Sequence, residues 1–175
     1  MTFIYHRVPD NMTGNILYPL SELMEVHPEL HALHKSRYMK RKQILTGGIP
    51  GLGCFWYDVL HFVAVHPQMI REVLQELGVS MSLRYYEIDA ELIAPEKAVV
   101  YLNKEHEPGE DAVLASDFIP YNPKEVEALS YPSDDIKKYH KENFRNGDEL
   151  MLHYHVPQIL YRGHFDTGGL AIIEA

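Results

Sequence analysis

The sequence predicts an α+β fold: a single domain over residues 1–175 around a split, mixed or antiparallel sheet, with helices gathered near the N-terminus. Three observations carry the prediction. Apolar runs of strand length stand far apart, at residues 3–6, 59–66 and 157–162, each with a polar side chain where a strand would open into a cleft. Apolar residues at helical spacing lie between the first two runs and just after the second. From Leu83 onward the pattern is mainly β with short helices inserted, unlike the steady alternation of a doubly wound sheet.

Each element has a local reason. Phe3-Ile4-Tyr5-His6 opens the chain as a strand, and residues 8–15, rich in Pro, Asp, Asn and Gly, must loop. Ser21 is placed to cap a short helix over residues 22–26, and Pro28 suits the first turn of a second, where its missing N–H costs nothing. That second helix runs through Leu30, Leu33, Arg37, Tyr38 and Arg41 to about Leu45 and ends at Gly47-Gly48. Residues 49–53 turn, 54–58 lead in, and 59–65 read as a buried strand. Pro67 opens a helix whose Ile70, Val73, Leu74 and Leu77 share one face, and Gly78 closes it. Strands follow over 83–89, 98–102 and 117–119, with an acidic Pro-Gly loop over 105–111. Short helices are expected over 124–129 and 134–144, a turn at Asn146-Gly147-Asp148, and strands over 149–156, 158–165 and 171–174.

Composition narrows the function. A chain of 175 residues supports one substantial core, since this size buries roughly 70% of its unfolded surface. The 16 basic and 25 acidic residues give a net charge of −9, which argues against general nucleic-acid binding. No apolar run approaches the roughly 20 residues that span a bilayer, no secretory signal is evident, and the lone Cys54 excludes an internal disulfide. A cytoplasmic protein without a membrane partner is the expectation. The 11 histidines invite a titration near a pKa of about 6.5.

Several features could carry chemistry. Lys35, Arg37, Lys40, Arg41 and Lys42 put nearly a third of the basic side chains on one segment, either for a phosphate-bearing ligand or as a solvated helix face. His66 sits where backbone N–H groups of a helix N-terminus favour an anion, or where its ring caps the helix. His153 and His155 alternate onto one face of a strand, and with His61 and His66 they would form a metal site only if a carboxylate or cysteine joined in register; none is evident, so no metal is assigned. Cys54, beside Phe55 and Trp56, is a structural thiol. No Gly-x-Ser-x-Gly elbow, P-loop or Gly-x-Gly-x-x-Gly fingerprint is present.

The three spaced strands also bear a family resemblance. Ile4-Tyr5-His6 resembles the first core strand of the ADP-ribosyltransferase fold, whose histidine contacts a ribose hydroxyl of NAD. Leu60-His61-Phe62-Val63-Ala64, running straight into a helix, is similar to the family's second motif, a strand bearing Tyr-Phe-Ala whose aromatic ring stacks on nicotinamide. Val156-Pro157-Gln158-Ile159-Leu160-Tyr161-Arg162 resembles the third, in which a glutamate begins a strand of the form Glu-Ile/Phe-Leu-Val. The likeness is to the DNA-targeting toxin transferases and related bacterial proteins, over about a fifth of the chain. It implies an ADP-ribosyltransferase-like fold and a nucleotide-type ligand, NAD, as substrate. His61 and Gln158 would take the catalytic positions, and His6, Arg7, His66 and Arg162 would contact the dinucleotide; the structural alternative is that His6 and His61 are hydrogen-bonded core histidines and Gln158 and Arg162 ordinary sheet-surface side chains. The reaction implied is cleavage of the nicotinamide–ribose bond, with ADP-ribose passed to an acceptor or to water. Two positions depart from the family: histidine stands at 61 for tyrosine, and glutamine at 158 for the glutamate. A neutral amide can hydrogen-bond a hydroxyl but supplies no negative charge to a developing cation.

Two other readings stay open. One is a non-catalytic binding protein on the same scaffold, with Trp56, Tyr57, Tyr85 and Tyr86 offering aromatic contact area. The other is a metal-dependent enzyme built on His61, His66, His153 and His155.

Overall fold

Side chains alternate across a strand, so the pairing register decides which residues share a face. The computed structural model describes residues 1–38, 47–104, 113–131, 133–146, 152–153 and 155–175. Its strands are β1 (Phe3–Arg7), β2 (Ile16–Leu17), β3 (Gly48–Ile49), β4 (Cys54–Phe55), β5 (Val59–Val63), β6 (Arg84–Asp89), β7 (Ala98–Tyr101), β8 (Phe118–Pro120), β9 (Gln158–Arg162), β10 (Phe165–Asp166) and β11 (Ala171–Glu174). Its helices are α1 (Leu20–Val26), α2 (Pro28–Tyr38), α3 (Pro67–Glu76) and α4 (Asp134–Asn146). Seven strands form one sheet in the order β11-β6-β1-β5-β9-β7-β8. The pairings among the described residues are antiparallel, so the α+β class stands and the mixed sheet becomes an antiparallel one.

Both faces of the sheet are covered. On one, Ile4, Phe62, Ile88, Val100 and Ile159 pack beneath Tyr121 and Val126 at the 3-10 helix Pro123–Leu129, joined by Leu17 and Phe165 of the small β2–β10 ribbon. On the other, Tyr5, Val63 and Tyr85 meet Ile70 and Leu74 of α3 and Ile136 of α4. Further along that same face, Val59, Val99 and Leu160 pack against Ile49, Leu52 and Trp56 around the β3–β4 hairpin. Each of these large apolar side chains contributes about 1.5–3 kcal/mol on full burial. Between the two clusters of the second face the sheet presents polar groups.

Local chemistry accounts for the joints. Pro67 begins α3, and His66 caps it, Nδ1 accepting the Gln68 N–H at 3.1 Å. Gly78, with φ 78°, follows α3 in the left-handed conformation that ends helices. Gly163, at φ 96°, breaks the predicted 158–165 strand into β9 and β10. His164 therefore does not continue the face of Gln158; it reaches α1 and pairs with Glu22 at 2.9 Å.

Other expectations are corrected. Pro19 rather than Ser21 occupies the N-cap of α1, and no side chain caps that end. Residues 56–58 and 123–129 take the tighter 3-10 form. The strand expected over 149–156 is absent where described: Leu152, His153 and His155 lie in turns and Val156 in a bend. The C-terminal part of the helix expected to Leu45, with Lys40, Arg41 and Lys42, lies outside the described residues, as do the 105–111 loop, Gly147, Asp148 and residues 149–151. Among the described residues no helix is long and apolar enough to cross a membrane.

Candidate functional site at the split between two central strands

The sheet is split beside β1. This strand pairs with β6 along its length, from Phe3↔Asp89 to Arg7↔Tyr85. Among the described residues it meets β5 at Tyr5↔Val63 alone, whereas β5 and β9 stay paired from Val59↔Arg162 to Val63↔Gln158. His6 and Arg7 therefore leave β5 where His61 lies two residues back along it. The three strands that the sequence singles out, β1, β5 and β9, are immediate neighbours.

A polar network fills the opening. His61 and Gln158 come from adjacent strands, with Nδ1 and Oε1 2.8 Å apart. The Gln158 Nε2 donates to the His153 carbonyl at 3.4 Å, and Tyr85 Oη lies 3.3 Å from His153 Nε2. One face of the His61 ring is covered by Trp56, stacked at 5.9 Å with 21° between planes. Trp56 in turn meets the Tyr101 ring edge-on at 5.2 Å. His6 points to the opposite face of the sheet from His61, its ring edge-on to Phe62 at 5.4 Å, but lies close enough at the split to feel the charge of both His61 and His153.

These imidazoles are held neutral. Burial pushes the His6 pKa down to about 3, with repulsion from His61 and His153 adding to it. His153 is pushed down to about 4, first by burial and then by Arg7, His140 and His61. For His61 burial also lowers the value, and the Gln158 hydrogen bond opposes it. His140, on α4, is fully buried and lowered by burial. The Leu152 backbone offsets part of that cost, yet neither His140 ring nitrogen makes a well-formed hydrogen bond among the described residues. At neutral pH the cluster thus presents lone pairs and N–H groups with Arg7 as the adjacent cation.

The turn that carries His153 is clamped. Asn103 and His155 are the non-glycine residues with positive φ among those described, at 51° and 59°. Such backbone costs energy and is retained where the surroundings enforce it. Asn103 Nδ2 donates to the carbonyls of His153 and Val156, each at 3.3 Å, and the His155 ring lies 3.3 Å from the Asn103 carbonyl.

Comparison with family models, with curated proteins and with solved structures finds no match to this chain. The site rests on its own geometry.

That geometry sorts the predicted residues. His61 and Gln158 meet on one face of the sheet with Arg7 beside them at the split, whereas His6 lies on the opposite face against Phe62. Arg7 is exposed, 3.6 Å from Asp10, and acts electrostatically on His153 and Tyr85. His66 is not with them: its Nδ1 is committed to the α3 cap and its ring packs edge-on to Tyr5 at 5.0 Å. Arg162 sits at the other end of β9, donating to the Leu52 carbonyl at 3.2 Å and tying down the β3–β4 hairpin. Trp56, Tyr85 and Tyr86 are core residues and form no exposed aromatic patch, while Tyr57 stacks on Phe55. Among the described residues no three His, Cys, Asp or Glu side chains are placed to hold a metal ion. Sequence reasoning missed Asn103 and expected His153 as a metal ligand or a buried, hydrogen-bonded sheet histidine; it is hydrogen-bonded, to Tyr85, but from a turn. An asparagine just past the end of a strand is a local sign of left-handed backbone, but its partners are 50 and 53 positions away.

Proposed function

We propose that this chain is an ADP-ribosyltransferase-like protein that binds NAD or a related nucleotide at the β1/β5 split, with slow or no turnover. The observation that carries the reading is the meeting of His61 and Gln158 at 2.8 Å on neighbouring strands, with His6 one strand further at the point where the sheet parts. Those are the three positions at which the family resemblance places its NAD-contacting residues. The donor set suits such a ligand: neutral imidazoles and an amide match ribose hydroxyls and a carboxamide, and the exposed Arg7 matches a phosphate. Gln158 supplies no carboxylate to stabilise a cationic transition state, so binding is the expected activity and cleavage of the nicotinamide–ribose bond is weak.

Calorimetric titration with NAD tests this. Saturable binding is expected at up to millimolar ligand, and the His61→Ala variant should bind several-fold more weakly, as the loss of one hydrogen bond of about 1 kcal/mol requires. Absence of binding at millimolar NAD, or unchanged affinity in the variant, contradicts the reading.

A further inference from the structure

The orientation of one amide sets the chemistry of the neighbouring imidazole. Gln158 Nε2 lies 3.4 Å from the His153 carbonyl, while Oε1 lies 2.8 Å from His61 Nδ1. A carbonyl oxygen can only accept, so the amide nitrogen must face His153; turned over, the amide would set two oxygens against each other. Asn103 donates to that same carbonyl at 3.3 Å and fixes its place. The Gln158 oxygen consequently faces His61, and a hydrogen bond there requires the proton to be on Nδ1.

In a neutral imidazole with its proton on Nδ1, Nε2 keeps its lone pair. Burial favours that neutral form. His61 is half-buried, and among the described residues its Nε2 has neither a hydrogen-bond partner nor complete seclusion from solvent. The ring cannot tip away easily, because Trp56 covers one face.

We infer that His61 Nε2 is the ligand-facing acceptor of the site, held unprotonated by Gln158, and that it takes an O–H or N–H group of the ligand. Gln158 is then a positioning residue acting through His61, and Asn103 supports it through the His153 carbonyl. The assignment deepens the nucleotide reading and rests on it for the identity of the donor, a ribose hydroxyl or a carboxamide N–H.

Long-range nitrogen–proton correlation spectra of the full chain at neutral pH show which imidazole nitrogen bears the proton. His61 is expected as the Nδ1-protonated tautomer. Gln158→Leu should move the proton to Nε2; Gln158→Glu, still an acceptor, should keep it on Nδ1 and raise the His61 pKa. A wild-type Nε2–H tautomer, or a Gln158→Leu spectrum unchanged at His61, overturns the inference. Should Gln158→Leu fail to fold, an unshifted His61 pKa in Gln158→Glu overturns it equally. Addition of NAD should shift the His61 Nε2 resonance; NAD binding that leaves Nε2 unmoved overturns the acceptor role. No NAD binding anywhere defeats the nucleotide reading instead, and the tautomer assignment then stands or falls on the spectra alone.

Discussion

At the residue scale the site depends on side chains that hold other side chains. Asn103 is the clearest case, with a buried amide donating to the carbonyls of His153 and Val156 from a left-handed backbone. Asn103→Ala removes one donor from each carbonyl, leaving that of His153 to Gln158 and the Val156 N–H, and puts a side chain that makes no hydrogen bond into an unfavourable conformation. The expected cost is about 1–3 kcal/mol, read as a lower urea midpoint with unchanged slope. A midpoint equal to wild type would show that the turn is held by something else. Asn103→Gly is expected to fall between the two, since it relieves the backbone while losing the hydrogen bonds.

At the element scale, histidines held neutral at the split between β1 and β5 and in the nearby turn make the fold acid-sensitive. Unfolded histidines take up protons near pH 6.5; folded, His6 does so near 3 and His153 near 4. Between those values the unfolded chain binds more protons, so stability is complete above about pH 6.5 and declines as pH falls, by about 1.4 kcal/mol per pH unit for each such histidine. Urea midpoints should therefore drop from pH 7 to pH 5; equal midpoints would mean that these imidazoles are solvated. The β9–β10 junction offers a second test. Gly163 has φ 96°, and a Cβ added there would make only an ordinary van der Waals contact with Glu22 Oε1 at 3.8 Å, so Gly163→Ala suffers the backbone penalty alone. A loss of about 1–2 kcal/mol is expected, and a neutral change would show that the chain turns there without the left-handed conformation. The elements legible in the sequence are those whose local signals agree with their burial. β1, β5 and α3 have strand or helix period, proline or glycine punctuation, and apolar residues that reach the core. β2, β3, β4 and β10 have two residues each, too short for any period to show. His153 and His155 imitate a strand face by their spacing, but their turn is shaped by Asn103 far away in the chain.

At the scale of the whole molecule, one antiparallel sheet is covered by apolar packing on both sides, with polar groups at the seam where β1 leaves β5. Burying neutral imidazoles with incomplete hydrogen bonding there costs stability that a hydrophobic seam would not, and a ligand that hydrogen-bonds them would offset part of that cost. The candidate site was legible as three separate residues, His6, His61 and Gln158, because polar groups in apolar strands are conspicuous. Their supporting shell was not, because it comes from the turn, from the end of β7 and from β6, which become neighbours only through the strand order. We propose that a nucleotide docks where β1 leaves β5. Titration of the isotope-labelled chain with NAD, followed by residue-resolved amide and imidazole resonances, tests it most directly. Saturable shifts centred on His6, Arg7, His61 and Gln158 are predicted; no saturable shift at millimolar NAD, or shifts centred on α3 or the β3–β4 hairpin, would contradict it.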